Sequence, residues 1–342
     1  MKKLLLDFVY AYETCNFRCR YCSSRKTSVR VDRGAARLLR RNLEEALASL
    51  TDSFVIYRFS GGEIFLAEEI LEDLLDRQFP VTQFLTNGTI LSDALLARLS
   101  AARDRVAVGV SLDGHTVEMN RMRESASGMA GPTLRRILDN ISRLLSAGLP
   151  VEIQTVLSEV NCAGLKGFLD YLLGAYADSR EDLLVSIFPV RPLRGKPDGA
   201  ALKKILSCYE RYGEILPSRD YMEGLVHFLE KGRRDACHIP EHISFRVMRE
   251  GASENPDLVK YFCECGGLRY YYGRECSACY THFDLLNSIL AGRTLVSSIP
   301  FPLFRNPLIQ AYFQEAQGRR RPARRLSALA ASGKARVLGN RI

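Results

Sequence analysis

The stretch Glu13-Thr14-Cys15-Asn16-Phe17-Arg18-Cys19-Arg20-Tyr21-Cys22 carries three cysteines spaced CxxxCxxC, directly after residues 4–10, whose composition predicts a β-strand. Three thiolates at this spacing suit three corners of a 4Fe-4S cluster, which leaves the fourth iron open to an external ligand. Phe17 and Tyr21 could shield such a cluster from water. A partial zinc site, a redox thiol pair and thiols without a role are the alternatives, although a zinc site needs a fourth Cys or His, and none lies between Cys22 and His115.

The sequence around this loop alternates strand-like and helix-like segments from residue 4 to about residue 190. Short β-branched or aromatic runs predict strands at residues 4–10, 54–59, 81–86, 106–112, 151–157 and 183–190. Between them, Leu, Ile and Ala at helical spacing predict helices such as 35–50 and 134–147, the second ending at Gly148. Six strand–helix pairs in this order predict an α/β fold with a parallel sheet.

Polar and glycine-containing motifs follow the first four predicted strands. The three-cysteine loop follows strand one, Ser60-Gly61-Gly62-Glu63 follows strand two, Thr86-Asn87-Gly88-Thr89 follows strand three, and Ser111-Leu112-Asp113-Gly114 closes strand four. Ligands of parallel sheets bind at the carboxyl ends of the strands, so we expect these motifs to form one site.

These four motifs, in this order, resemble the radical S-adenosylmethionine (SAM) superfamily. The resemblance implies a partial (β/α)₆ TIM-like barrel, a 4Fe-4S cluster on Cys15, Cys19 and Cys22, and bound SAM. It implies that Gly61, Gly62 and Glu63 hold the methionine amino group and that Ser111 and Asp113 contact the ribose. The other implied contacts with the cofactors come from Tyr21, from Asn87, and from Arg121 or Arg123, either of which could reach the SAM carboxylate or be a solvated arginine.

A second cysteine group, Cys263, Cys265, Cys276 and Cys279, flanks a predicted hairpin with its turn at Gly273. Thiol pairs across a hairpin suit zinc or an iron–sulfur cluster. In this family the region resembles the SPASM/twitch extension, which implies one auxiliary 4Fe-4S cluster. Its ligands would be Cys265, Cys276 and Cys279, with Cys263 or Cys237 as the fourth. Cys237 could instead donate a hydrogen atom to the substrate.

Most of the net positive charge of the chain comes from its C-terminal residues. The net charge is +9, but eight Lys and Arg lie in residues 318–342 without any acid, so the remainder is nearly neutral. We expect three segments: a barrel core over residues 1–195, linker helices and a twitch-like domain over 196–317, and a basic tail over 318–342. The tail is typical of a solvated terminus, although arginine runs also bind nucleic acid or acidic proteins.

The resemblance implies that SAM is cleaved reductively to a 5′-deoxyadenosyl radical, which abstracts a hydrogen atom from an unactivated substrate carbon. We expect a small natural product as substrate, with oxidation, epimerisation or carbon–carbon bond formation as the outcome, because a core that starts near residue 4 leaves no room for a preceding peptide-binding domain. Modification of a ribosomal peptide is the alternative. A non-catalytic zinc or iron–sulfur scaffold is the alternative of another class.

The expected partners follow from the same chemistry. The family implies an external electron donor such as flavodoxin or ferredoxin. No apolar run approaches the ~20 residues of a membrane span, and no cleavable signal follows the N-terminus. We therefore expect a cytoplasmic enzyme without a membrane or nucleic-acid partner.

Overall fold

A computed structural model describes 13 stretches of the chain, and the strands and helices below lie within them. The described residues are 4–6, 8–9, 14–22, 54–55, 57–60, 62–77, 79, 81–123, 130–189, 199–231, 243–247, 259–261 and 307–316. The strands are β1 (Leu4–Leu6), β2 (Phe8–Val9), β3 (Phe54–Val55), β4 (Tyr57–Ser60), β5 (Thr82–Thr86), β6 (Val106–Ser111), β7 (Val151–Leu157), β8 (Leu183–Pro189), β9 (Ile243–Val247) and β10 (Val259–Tyr261).

Helices connect the strands as the alternating sequence pattern predicts. They are α1 (Glu68–Asp76), α2 (Asp93–Ala101), α3 (Gly131–Ser146), α4 (Leu165–Ala175), α5 (Gly199–Leu206), α6 (Arg219–Lys231) and α7 (Pro307–Ala316), with short 3₁₀ turns that include Ile64–Leu66 and Glu118–Asn120. Gly148 adopts a left-handed φ of 70° just after α3, which is the conformation expected of a glycine that ends a helix. None of the described helices is long and apolar enough to cross a membrane.

The main sheet has six strands in the order β2-β4-β5-β6-β7-β8, and every neighbouring pair is parallel. Strands that follow one another in space and along the chain are expected from successive right-handed βαβ units. This order confirms the predicted α/β fold with a parallel sheet, and it is the strand order that a partial (β/α)₆ barrel requires.

The two faces of this sheet differ in composition because successive side chains of a strand point to opposite sides. One face carries apolar residues such as Val108, Val110 and Ile153, all fully buried. A Cβ built on Gly88 would lie 2.8 Å from Cγ1 of Val110 and 3.1 Å from Cγ2 of Ile137 in α3. The face that includes Val110 is therefore the one that packs against the helices. We call the opposite face the inner face.

The C-terminal region contributes strands that the sequence analysis did not predict. β9 pairs in parallel with β1, β10 pairs antiparallel with β9, and together with β3 they form a second sheet in the order β10-β9-β1-β3. Part of the chain beyond residue 240 is thus joined by backbone hydrogen bonds to the first strand.

The element boundaries match the predictions closely in the main sheet. The strand predicted at 151–157 is β7 without change, and β5, β6 and β8 end at the predicted residue or one residue earlier. Among the linker helices expected in residues 196–317, α5 ends at Leu206 and is followed by a 3₁₀ turn at Tyr209–Arg211. The helix predicted at 35–50, the boundary near 195, the hairpin around Gly273 and the basic tail lie outside the described residues.

Candidate cofactor site

The three-cysteine loop lies against the ends of the neighbouring strands and is attached to each of them. The Glu63 backbone N–H, which follows β4, donates to the Thr14 carbonyl at 2.8 Å. At the other end of the loop the Arg20 N–H donates to the Met122 carbonyl at 2.9 Å. Because these partners belong to separate strand–helix connections, the loop, which has almost no regular secondary structure of its own, is held by the rest of the fold.

The thiols of the loop differ in exposure. Cys15 is buried, with 5% of its surface exposed, whereas Cys19 and Cys22 are partly exposed, and all three are reduced. The Phe17 N–H donates to the Cys15 sulfur at 3.4 Å. Within the described stretches, no three Cys, His, Asp or Glu side chains are already gathered into a metal-binding arrangement. The three thiols nevertheless lie on one short loop, and thiolates are the ligands that iron–sulfur clusters take.

A chain of side-chain hydrogen bonds joins the start of the loop to the motif after β5. Asn87 Nδ2 donates to Asn16 Oδ1 at 2.6 Å, and Asn16 Nδ2 donates to Thr89 Oγ1 at 2.8 Å. The Thr89 N–H and hydroxyl both donate to Asn87 Oδ1. The same Asn87 Nδ2 lies 4.0 Å from the Cys15 sulfur. The sequence-predicted Asn87 is thus placed beside the thiol loop, in contact with Asn16, which the sequence analysis gave no role.

The carboxylate of Glu63 is fully buried and accepts three hydrogen bonds from the protein. Its donors are the Phe65 N–H at 3.0 Å, the Thr86 hydroxyl at 2.6 Å and the Asn87 N–H at 2.6 Å. Burial raises the pKa of this carboxyl group, while the three donors act in the opposite direction. In the structure the Glu63 side chain connects the turn after β4 to the end of β5, and its expected contact with the methionine amino group stays a prediction.

The second half of the loop is joined to the end of β6 through Tyr21. Its hydroxyl donates to Asp113 Oδ2 at 2.8 Å, and the Val156 N–H donates to Asp113 Oδ1 at 2.9 Å. Asp113 is 1% exposed, and burial raises its pKa, against the opposing influence of nearby Arg123. Burial together with the Asp113 charge also raises the pKa of Tyr21 well above its usual value. Both carboxylate oxygens of Asp113 therefore already have protein donors.

The two candidate arginines are in contrasting environments. Arg121 is exposed and forms an ion pair with Glu118 at 2.6 Å on the same turn. Arg123 is 2% exposed, and its guanidinium lies 5.7 Å from the centre of the Phe17 ring and 3.4 Å from the Tyr21 hydroxyl. Burial lowers the pKa of Arg123, but the charges of Tyr21, Cys19 and Asp113 outweigh it, and the net shift is upward.

Arg123 also has an unsatisfied donor. Its Nε is buried and has no hydrogen-bond partner among the described residues. A buried, charged donor without a partner costs free energy that an anionic ligand would recover. Together with the thiols of the loop, this donor fits a cluster-bound molecule that carries a carboxylate, as SAM does.

Two buried asparagines hold the Asp113 turn, and the sequence analysis missed both. Asn120 Oδ1 accepts from the Asp113 N–H, and its Nδ2 donates to the carbonyls of Gly114 and Thr116. Asn161 Nδ2 donates to the carbonyls of Asp113 and Val156. Only Asn120 had a signal in the sequence, because it directly precedes Arg121, one of the two candidate arginines.

Of the other site residues predicted from the sequence, the structure describes Ser111 and Gly62. Ser111 ends β6 on the inner face, next to Gln154 in the register, and is partly buried. Gly62 has a left-handed φ of 45°, as a tight turn before Glu63 requires. Gly61, Cys237, Cys263, Cys265, Cys276 and Cys279 lie outside the described residues.

The chain is similar to a known family and to several known proteins. Residues 9–170 match the family model of the radical SAM superfamily. The chain is 29% identical over 309 residues to neomycin C epimerase of Streptomyces fradiae, a match that covers 84% of this chain and 91% of that protein. It is 28% identical over 182 residues to 7-carboxy-7-deazaguanine synthase of Methanothermobacter thermautotrophicus, covering 52% of this chain and 72% of that protein.

Two solved structures share the fold. Histidine-tagged anSMEcpe with bound AdoMet superposes with a TM-score of 0.55 at 16% identity, covering 98% of each chain. Streptococcus suis SuiB bound to the precursor peptide SuiA gives a TM-score of 0.52 at 12% identity, covering 81% of this chain and 66% of that one. The family match spans the three-cysteine loop and every sheet-end contact described above, so residues 9–170 are similar in sequence to the radical SAM superfamily.

Proposed function

We propose that this protein reductively cleaves SAM and uses the radical so formed to epimerise a small natural product. The observation that carries the radical chemistry is that Tyr21 of the CxxxCxxC loop contacts both Asp113 and the buried Arg123, whose Nε has no partner among the described residues. When bound, the cluster and SAM supply a 5′-deoxyadenosyl radical that abstracts a hydrogen atom from an unactivated substrate carbon.

The protein's own contribution is to position and enclose these groups. Cys15, Cys19 and Cys22 hold the cluster, and Arg123 holds the SAM carboxylate, whereas Arg121 stays at the surface. Glu63 orients the turn after β4, and Gly61 and Gly62 are proposed to bind the methionine amino group. Asp113 holds Tyr21 in place, and Ser111 offers its hydroxyl to the ribose. The partial-barrel interior excludes water from the radical.

The assignment of a small-molecule substrate rests on the similarity to neomycin C epimerase, which spans nearly all of that protein. In an epimerisation the substrate radical regains a hydrogen atom on the opposite face. We propose the Cys237 thiol as its source, and the resulting thiyl radical then takes one electron and one proton. An external flavodoxin or ferredoxin would supply the electrons. Cys263, Cys265, Cys276 and Cys279 would hold an auxiliary 4Fe-4S cluster of the twitch type, which could relay electrons to the thiyl radical.

The test uses anaerobically reconstituted, reduced protein with SAM. Formation of 5′-deoxyadenosine is expected, together with about eight irons per chain, of which about four remain after Cys15, Cys19 and Cys22 are changed to Ser. With an aminoglycoside substrate in D₂O, one deuterium should appear at the inverted carbon, and C237S should release 5′-deoxyadenosine without epimer. An intact cluster that gives no 5′-deoxyadenosine refutes the radical chemistry, and zinc without sulfide indicates a scaffold protein instead.

Modification of a ribosomal peptide is a second candidate. SuiB bound to its precursor peptide and anSMEcpe bound to a peptide have the same fold as this chain. A precursor peptide encoded beside the gene, modified by the purified protein, would favour this candidate over the small molecule.

A further inference from the structure

A group of polar side chains lies on the inner face of the main sheet, outside the contacts described above. Glu152 of β7 is at its centre. Its Oε2 accepts from Gln83 Nε2 of β5 and, at 3.1 Å, from Gln154 Nε2, and its Oε1 accepts from the Ser186 hydroxyl of β8. Three strands thus converge on one carboxylate.

The sheet register places this group opposite the helices. Glu152 is the register partner of Gly109, which alternates along β6 with Val108 and Val110 of the helix-packed face. A Cβ built on Gly109 would lie 2.3 Å from Leu85 Cδ2 and 3.4 Å from Gln154 Nε2. The absence of a side chain at Gly109 therefore leaves space for the polar group, and Glu152 points into the interior of the partial barrel.

The charge of Glu152 is enclosed but not balanced by the described residues. Glu152 is only 8% exposed, and its partners Gln83 and Ser186 are 5% and 4% exposed. Its three donors are uncharged, and no ion pair to it occurs among the described side chains. A buried carboxylate is costly to maintain unless it is paired, so a cation bound beside it would be favoured.

The group also lies close to the proposed reaction site. Gln154 is the register partner of Ser111, which ends β6 at the proposed ribose contact. Glu152 precedes Gln154 by two residues, or about 7 Å along the strand. Gln154 is partly exposed, so the group is not closed off from solvent at this residue. A molecule bound next to SAM in the barrel interior could therefore reach Glu152.

We propose that Glu152, oriented by Gln83, Gln154 and Ser186, is a substrate-recognition site that binds an ammonium group of the substrate. This inference rests on the proposed function, since it names the chemistry by which that small molecule is held. It assigns the substrate to amine-bearing compounds, and it places an amine of the substrate deeper in the barrel than the carbon that reacts.

The experiment compares a probe that carries two ammonium groups with a derivative in which acetylation has removed both charges. Binding of 2-deoxystreptamine, a cyclitol with two primary amines, and of its N,N′-diacetyl derivative is measured by anaerobic calorimetry on SAM-loaded protein. Wild type is expected to bind the free amine at least about tenfold more tightly, because a charge-assisted contact with a buried carboxylate is lost on acetylation. E152Q should lose this preference, E152D should keep it, and D139N, which removes an exposed acid from α3, should match wild type.

Each result bears directly on the inference. Equal binding of the two probes by wild type overturns it, as does an unchanged preference in E152Q. If E152Q does not fold, S186A, which removes the hydroxyl donor to Glu152 Oε1, takes its place, and an unchanged preference in S186A, like equal binding of the two probes by wild type, overturns the inference. Failure of the proposed function is seen separately, as an absence of 5′-deoxyadenosine from wild type with an intact cluster, whatever the probes show.

Discussion

Replacement of Arg123 by Lys tests the structural basis of SAM binding. Arg123 contacts Phe17 and Tyr21 of the three-cysteine loop and has 2% of its surface exposed. Its Nε lacks a partner among the described residues. Lysine keeps the positive charge but offers a single rotating ammonium in place of a planar donor fork. The substitution therefore separates a specific carboxylate contact from a general requirement for charge.

The expected magnitude follows from the contacts that lysine cannot reproduce. A hydrogen bond between charged groups contributes roughly 1.5–3 kcal/mol, which corresponds to about a 10- to 150-fold increase in the Kd for SAM. Loss of the guanidinium stacking over Phe17 removes about 0.5–2 kcal/mol more, and this loss affects protein stability rather than ligand affinity.

The assay is equilibrium binding of SAM to reconstituted R123K under anaerobic conditions, with iron content and thermal unfolding measured on the same sample. The matched control is R121K, two residues away, because Arg121 is exposed and already paired with Glu118. R121K should bind SAM within about twofold of wild type, a difference that corresponds to well under 1 kcal/mol. SAM affinity unchanged in R123K with a full cluster, or weakened equally in R121K, would refute the assignment.

Three further substitutions test how the loops are held. Y21F removes the donor to Asp113 Oδ2 and should destabilise the fold by about 1–3 kcal/mol in urea unfolding, since a buried acceptor loses its partner. N161A leaves the buried carbonyls of Asp113 and Val156 unpaired and should cost roughly 2–4 kcal/mol in the same measurement. G88A forces a Cβ to 2.8 Å from Val110 at a φ of 79° and should lower the thermal midpoint through a loss of about 1–3 kcal/mol.

Each of these variants has a control that separates the loss of a local contact from a general sensitivity of the protein's stability to substitution. The exposed Asp139→Asn, Lys204→Ala and Gly174→Ala should each change stability by less than about 0.5–1 kcal/mol. Gly174 is informative because a Cβ there meets nothing within 4 Å. Because Ala favours a helix more than Gly does, G174A should be neutral or slightly stabilising. A loss from G174A equal to that from G88A would mean that neither the Val110 contact nor the positive φ at Gly88 explains the result.

The main sheet was predictable because local sequence patterns mark its strands. Residues 151–157 alternate β-branched and polar side chains, and β7 occupies the predicted range without change. The first strand of the second sheet was also predicted, but its partner β9 lies about 240 residues later in the chain. No local pattern indicates which distant strand will pair with an exposed edge, so this part of the topology required the structure.

The site was predictable in its motifs and less so in the partners of each side chain. The positions of Glu63 and Asp113 after their strands predicted that they lie at one edge of the sheet, and they do. Their carboxylates bond to the protein itself, however, because turns that approach a ligand through their backbone need buried side chains to hold them. Sequence reasoning cannot distinguish an acid that binds a ligand from one that holds the turn, since both occur at the same positions.

The alternation of residues that predicted β7 also marks Glu152 as unusual, because it places a charged residue in a central strand. In a central strand of a parallel sheet both faces are covered, and such strands are usually apolar throughout. Glu152 and Gln154 alternate with Val151, Ile153 and Thr155, so the face opposite the helices is polar in the middle of the sheet. A polar inner face is compatible with burial only if hydrogen-bonding groups meet it there. Gln83 and Ser186 provide some of these groups, and the unbalanced charge of Glu152 is the reason to expect the rest from a ligand.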